Sequence, residues 1–170
     1  MAIDLTLKGT AITNREATPP VLSNPGLGVG GIEKCAYGYL ASVTASLSIT
    51  SIIRLVEVPS NAIVTDLRLT SAAQAAGAFD VGVYRNSKDG GAVVDADLFG
   101  SAVSCASAVV NSDVLNESTN NTIAKQSQPL WQAAGLSVDP KSTLDIALTV
   151  ASTDVTTGTG AVGLKVRYVQ

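Results

Sequence analysis

The residues 143–150, TLDIALTV, and 162–169, VGLKVRYV, decide the fold class. In the first, Leu144, Ile146, Leu148 and Val150 alternate with Asp145, Ala147 and Thr149. In the second, Val162, Leu164, Val166 and Tyr168 alternate with Gly163, Lys165 and Arg167. A period of two is that of a strand with one face packed inward. The Thr/Gly-rich residues Thr153 to Gly160 lie between them, and the two segments are expected to form a terminal hairpin.

The same pattern extends back to about Tyr37. Ile53, Leu55 and Val58 lie in an apolar stretch closed by Pro59, Ser60 and Asn61; Leu67 and Leu69 alternate with Asp66 and Arg68; Phe79, Val81 and Val83 interleave with Asp80, Gly82 and Tyr84. The residues 86–91, NSKDGG, have turn chemistry, because Asp-Gly tolerates the positive φ of a tight hairpin, so strands are expected on both sides. Asp95 to Val103 fits a strand or a short capped helix. The one convincing helical patch is Gln128 to Leu136, with Pro129 suited to a first turn and Gly135 to an end. About eight short strands without alternating long helices predict an all-β, jelly-roll-like β-sandwich carrying one short helix.

Residues 1–36 read differently, as an extended N-terminal arm ahead of a 37–170 sandwich. Pro19, Pro20 and Pro25 and the glycines Gly26, Gly28, Gly30 and Gly31 oppose a central strand or a helix. The run Gly26 to Gly31 has the glycine density of a phosphate loop, but it lacks the strand before, the helix after and the Lys-Ser/Thr pair.

Composition excludes several functions. In 170 residues, 46% hydrophobic and 15% charged, histidine is absent, which removes the commonest general base and metal ligand. A net charge of -3 with scattered basic residues argues against nucleic acid. No apolar run is long enough to span a membrane, and Asp4 interrupts any signal-peptide core. No cofactor and no metal are expected. Cys35 and Cys105 match no metal or redox spacing and are expected as reduced, buried thiols. Asp95 and Asp97 have the spacing of two calcium-loop ligands, but Phe99 stands where a third oxygen ligand belongs; turn or capping roles are expected instead. Asn116-Glu117-Ser118 and Asn120-Asn121-Thr122 match the glycosylation pattern by coincidence. Trp131, the single tryptophan, is expected to be a packing anchor.

The stretches AITNREATPPVLSNPG, IIRLVEVPSNAIV, DVGVYR, DGGAVVDADLF, QPLWQAAGL and TLDIALTV, together spanning Ala11 to Val150, resemble the head decoration, or cement, proteins of tailed bacteriophages. The resemblance implies no enzymatic activity. It implies a β-domain on the outer surface of an icosahedral phage head, with the major capsid protein as partner and a homo-oligomer, dimer or trimer, on the shell. The arm is then the expected capsid-binding element, through Ile12, Asn14, Arg15, Val21, Leu22 and Pro25. A phage tail appendage or receptor-binding module has a similar composition and is the alternative expectation.

Overall fold

The computed structural model describes residues 17–19, 32–43, 46–74, 77–152, 154–155 and 160–170. The chain divides into two units, Met1–Gly31 and Ile32–Gln170. The second is an all-β sandwich with eight strands among the described residues: β1 (Glu33–Leu40), β2 (Ile52–Pro59), β3 (Ile63–Ser71), β4 (Ala78–Arg85), β5 (Val93–Ser104), β6 (Val109–Asp113), β7 (Thr143–Val150) and β8 (Val162–Val169). Glu33 to Ala36 therefore belong to the first strand and not to the arm. They contain neither Gly nor Pro, and they pair with the end of β8.

Two four-stranded sheets have the orders β1-β8-β3-β6 and β2-β7-β4-β5. The antiparallel partners β1·β8, β2·β7, β3·β6 and β4·β5 are nested, a jelly-roll-like winding in which consecutive strands change sheet everywhere except at the β4–β5 hairpin. The expected terminal hairpin is thereby corrected: β7 pairs with β2 and β4, whereas β8 pairs with β1 and β3. Alternation tells each strand which face to bury. It is equally satisfied when the two apolar faces meet across the sandwich as when they lie side by side.

The core is that meeting. Leu67 and Leu69 of β3 are set opposite Val166 and Leu164 of β8, and all four are fully buried. From the other sheet, Phe79, Val81 and Val83 of β4 lie opposite Val150, Leu148 and Ile146 of β7. Each such side chain stabilises the fold by about 1.5–3 kcal/mol relative to its exposed state.

The turn at 86–91 forms as its residues dictate. Asn86 Oδ1 accepts the Asp89 amide at 2.8 Å, closing a 3-10 turn over Ser87–Asp89, and Gly90 and Gly91 take φ of 85° and 62°. Asp95 to Val103 forms strand, within β5. The helix, α1 (Leu130–Ala133), is a single turn preceded by Pro129 and followed by Gly135 at φ 85°. It docks through backbone: Leu130 N–H donates to Ala62 O at 2.8 Å and Trp131 N–H to Ser60 O at 3.0 Å.

Candidate functional site

Among the described residues four strands form the sheet edges, and three of them are irregular. The register of β2 shifts between Arg54 and Val56 and the strand ends in Pro59. That of β5 shifts at several points along β4, and that of β6 shifts against β3, with Asn111 at φ 50°. Bulges and prolines blunt edges against further pairing. The remaining edge, β1, keeps unbroken register with β8 from Glu33↔Val169 to Leu40↔Val162.

This regular edge carries several exposed apolar side chains close together. Tyr37 and Tyr39 project from the same strand face at 63% and 64% exposure, with ring centroids 5.9 Å apart and planes inclined by 28°. Ile32 and Leu40, also exposed, bracket them. Space for the rings comes from β8: Gly163 stands opposite Tyr39, and a Cβ there would lie 3.1 Å from both the Tyr37 hydroxyl and Tyr39 Cβ. Across the sheet the surface becomes ionic. Arg68 bonds Asp66 at 2.7 Å and reaches Asp113 at 3.4 Å, while Arg167 stands 4.0 Å from Asp66. Partly exposed pairs of this kind contribute little stability. The result is an exposed aromatic pair with two hydroxyls beside a face of paired charges.

A close backbone approach sets β1 in place. A Cβ on Gly38 would fall 1.7 Å from the Leu55 carbonyl oxygen, so the backbones of β1 and β2 touch where the two sheets converge. Residue 38 must lack a side chain for Tyr37 and Tyr39 to sit where they do.

The carboxylates that could have suggested chemistry are engaged in holding loops. In the open polar recess lined by Glu57, Asn86, Asp89, Ser142, Thr143 and Asp145, Asp89 accepts from Ser142 at 2.7 Å and Glu57 accepts from Thr143. Asp145 pairs with Arg54 at 2.8 Å. The same guanidinium donates to Arg85 O at 2.7 Å and Gly91 O at 2.5 Å and lies 5.3 Å from the Tyr84 ring centroid, clamping the β4–β5 hairpin over the sheet. Beneath it Tyr84, 1% exposed, shares a hydrogen bond with Thr149.

Asp95 Oδ1 accepts the Asp97 amide two residues on, at 3.3 Å, so Asp95 binds local backbone, but within a strand and not in a turn between strands. Asp95 and Asp97 lie in β5 where it bulges against β4: Val81 pairs with Gly100 but Val83 with Asp95. The bulge presses on Gly82, whose Cβ would meet Ala96 backbone at 2.2 Å. Asp97 accepts from Asn120 Nδ2 at 2.9 Å and so ties down the loop that follows β6. Burial, with the neighbouring Asp97 carboxylate, pushes the Asp95 carboxyl above its ordinary value of 3.8 despite the amide of Asp97 and the charge of Lys125. In that loop Asn121 is buried and donates to Leu115 O at 2.8 Å, a structural role. Among the described residues no three His, Cys, Asp or Glu side chains are placed to hold a metal ion.

Trp131 is half-buried and packs on the core from α1. Both cysteines are free, but only Cys105 is buried, where burial raises its thiol above 9.0; Cys35 is exposed, correcting the expectation of two buried thiols. It points outward on β1 in line with Tyr37 and Tyr39, as alternation on an edge strand requires. The arm residues Ile12, Asn14, Arg15, Val21, Leu22 and Pro25, and the glycine run 26–31, lie outside the described residues. Sequence reading missed the tyrosine pair, although the Tyr37-Gly38-Tyr39 spacing already places both rings on one face.

No family model matches the chain, and no curated protein does. Among solved structures, a chain of the capsid asymmetric unit of cyanophage Pam1 shares the fold, with a TM-score of 0.54 at 22% identity. The superposition covers 91% of this chain and 96% of that one, so it joins two chains of similar length almost end to end.

Proposed function

We propose that this chain is a structural, non-enzymatic protein of a virion, seated on the outer surface of an icosahedral phage head, where it stabilises the shell by bridging major capsid protein subunits. The observation that carries the reading is the near end-to-end likeness to a chain of the cyanophage capsid asymmetric unit. Three features support it. The body is a two-sheet sandwich packed around one core. One edge presents an adhesive aromatic pair. The preceding residues carry Pro19, Pro20 and Pro25 and the glycines Gly26, Gly28, Gly30 and Gly31, and an extended segment of that composition can lay main chain along a partner's surface. Individually weak contacts of this kind gain through avidity on a lattice of identical sites.

In this reading Ile12, Val21, Leu22 and Pro25 supply apolar contacts to the capsid, Asn14 and Arg15 polar ones, and the copies associate as dimers or trimers on the shell. Nucleic acid and membrane play no part. The experiment adds purified protein to heads assembled without it and measures bound copies and heat resistance. Saturable binding at a number set by the shell's symmetry, with stabilised heads, is expected, and removal of residues 2–31 should abolish it. Undiminished binding of the truncated protein would refute the role of the arm. A few copies confined to the tail would replace the head reading with a tail appendage.

A further inference from the structure

We infer that Asp89–Gly90 is a self-modification site, at which the folded chain slowly closes a cyclic imide and reopens it as isoaspartate, loosening the β4–β5 hairpin. It is the one Asp-Gly pair in the sequence. Glycine offers the least hindered amide nitrogen for attack on the preceding side chain, because it has no Cβ. The cap of the turn passes that nitrogen over. The amides of Asp89 and Gly91 both donate to Asn86 O, at 3.0 and 2.9 Å, whereas the Gly90 amide between them donates to neither Asn86 O nor Asn86 Oδ1. Gly90 sits at φ 85°, and a Cβ there would meet no atom within 4 Å, so the space around the reacting bond is open.

The carboxyl group beside it is exposed and polarised. Asp89 Oδ2 accepts from Ser142 Oγ at 2.7 Å and from Asn86 Nδ2 at 3.1 Å. Two donors on one oxygen stabilise the negative charge that develops there as nitrogen attacks, and a ring closed between adjacent residues needs no bimolecular encounter. In that step Gly90 N bonds to Asp89 Cγ and the Cγ–Oδ2 bond breaks. The oxygen leaves as water, with the amide proton and the carboxyl group's own proton. Water then cleaves the imide. Cleavage at Cγ restores aspartate; cleavage at the backbone carbonyl carbon of Asp89 leaves the chain running through Cγ, with one more main-chain atom and no net change in mass or oxidation state. The added atom falls between the Asn86 cap and Gly91, whose amide donates to Asn86 O and whose carbonyl accepts from Arg54. Both ties lose their register, and with them the bond from the Arg85 amide to Ala92 O, at 2.8 Å, that closes the hairpin.

The test ages the full chain, folded, at body temperature and neutral pH for weeks, alongside a sample unfolded in urea. The chymotryptic peptide that follows Tyr84 is then read by mass spectrometry with electron-based fragmentation, which separates isoaspartate from aspartate. Folded protein should yield a species lighter by one water and then an isomer of unchanged mass carrying isoaspartate at residue 89. The isomerised fraction should exchange its Arg85 amide faster than fresh protein and unfold at a lower urea concentration. Asp89→Ser, which cannot close the ring, should lose both species and age without that drift. The inference is overturned if isoaspartate forms in urea but not in the folded protein, which would make the turn a protection, or if it forms in neither. Isomerised protein with fresh-protein exchange at Arg85 and an unchanged midpoint would overturn the loosening. No phage head enters the assay, so its outcome is independent of the proposed virion role.

Discussion

Replacing Gly38 with alanine isolates the contact that positions β1. The φ of Gly38 lies outside the positive range, so alanine suits the backbone and only space is at issue. The new Cβ would stand 1.7 Å from the Leu55 oxygen, where real Cβ contacts almost never fall under 3.0 Å. Neither side can yield by rotating a side chain, because the obstacle is a carbonyl in the β2 bulge. The cheapest relief withdraws β1 from β2 and opens the rim beside Ala36 and Leu40. Overpacking that moves backbone costs about 1–3 kcal/mol, and a contact this short belongs at the upper end. For a chain of this size that corresponds to a Tm lower by roughly 6–12 °C. Urea unfolding should show a lower midpoint, and hydrogen exchange should show the Cys35–Leu40 amides losing protection ahead of those in β3 and β4. A variant with wild-type midpoint and full protection of β1 would refute the close approach of the two sheets.

Three further outcomes follow from the side-chain networks. Arg54→Met strips donors from Asp145, Arg85 O and Gly91 O; with the guanidinium about a quarter exposed, a loss of about 2–4 kcal/mol is expected, and Asp145→Asn in the same chain should be less than additive in denaturant titration. Asp95→Asn should stabilise the protein at neutral pH. The raised carboxyl binds its proton more tightly in the folded state, so its contribution is full below the unfolded value and is lost as pH rises through the folded one; the advantage of the variant should therefore vanish towards pH 3.8, and a pH-independent difference would refute the cause. Tyr37→Ser with Tyr39→Ser, both side chains being exposed, should leave the urea midpoint within about 0.5 kcal/mol of wild type while weakening attachment to heads; unchanged attachment would remove the tyrosines from the contact surface.

The sandwich was legible in the sequence because a buried face imposes a period of two. β7, β8 and β4 announce themselves by it, and Asn86 to Gly91 names its own turn. Pairing partners were not legible. The strands 143–150 and 162–169 are adjacent in sequence and apolar on one face each, yet they belong to different sheets, since alternation fixes which side is buried but not which neighbour supplies hydrogen bonds. Bulges escape for a related reason. Nothing in Asp95-Ala96-Asp97 signals extra residues between two ladder positions, and only the bare Gly82 opposite betrays them. For the candidate surface, Cys35 looked like a core residue by type and the tyrosine pair went unread; the exposure of all three follows from the edge position of β1, a property of topology. The arm residues singled out for binding draw their support from composition and resemblance alone.

The pairing of the first and last strands has a practical corollary. Glu33 stands opposite Val169, and Lys34 Nζ donates to Gln170 at 2.9 Å. A payload joined after Gln170 would leave the domain roughly one strand spacing, about 5 Å, from the root of the leader. A group fused there would thus share its space with the segment that enters β1 unless a spacer carried it clear.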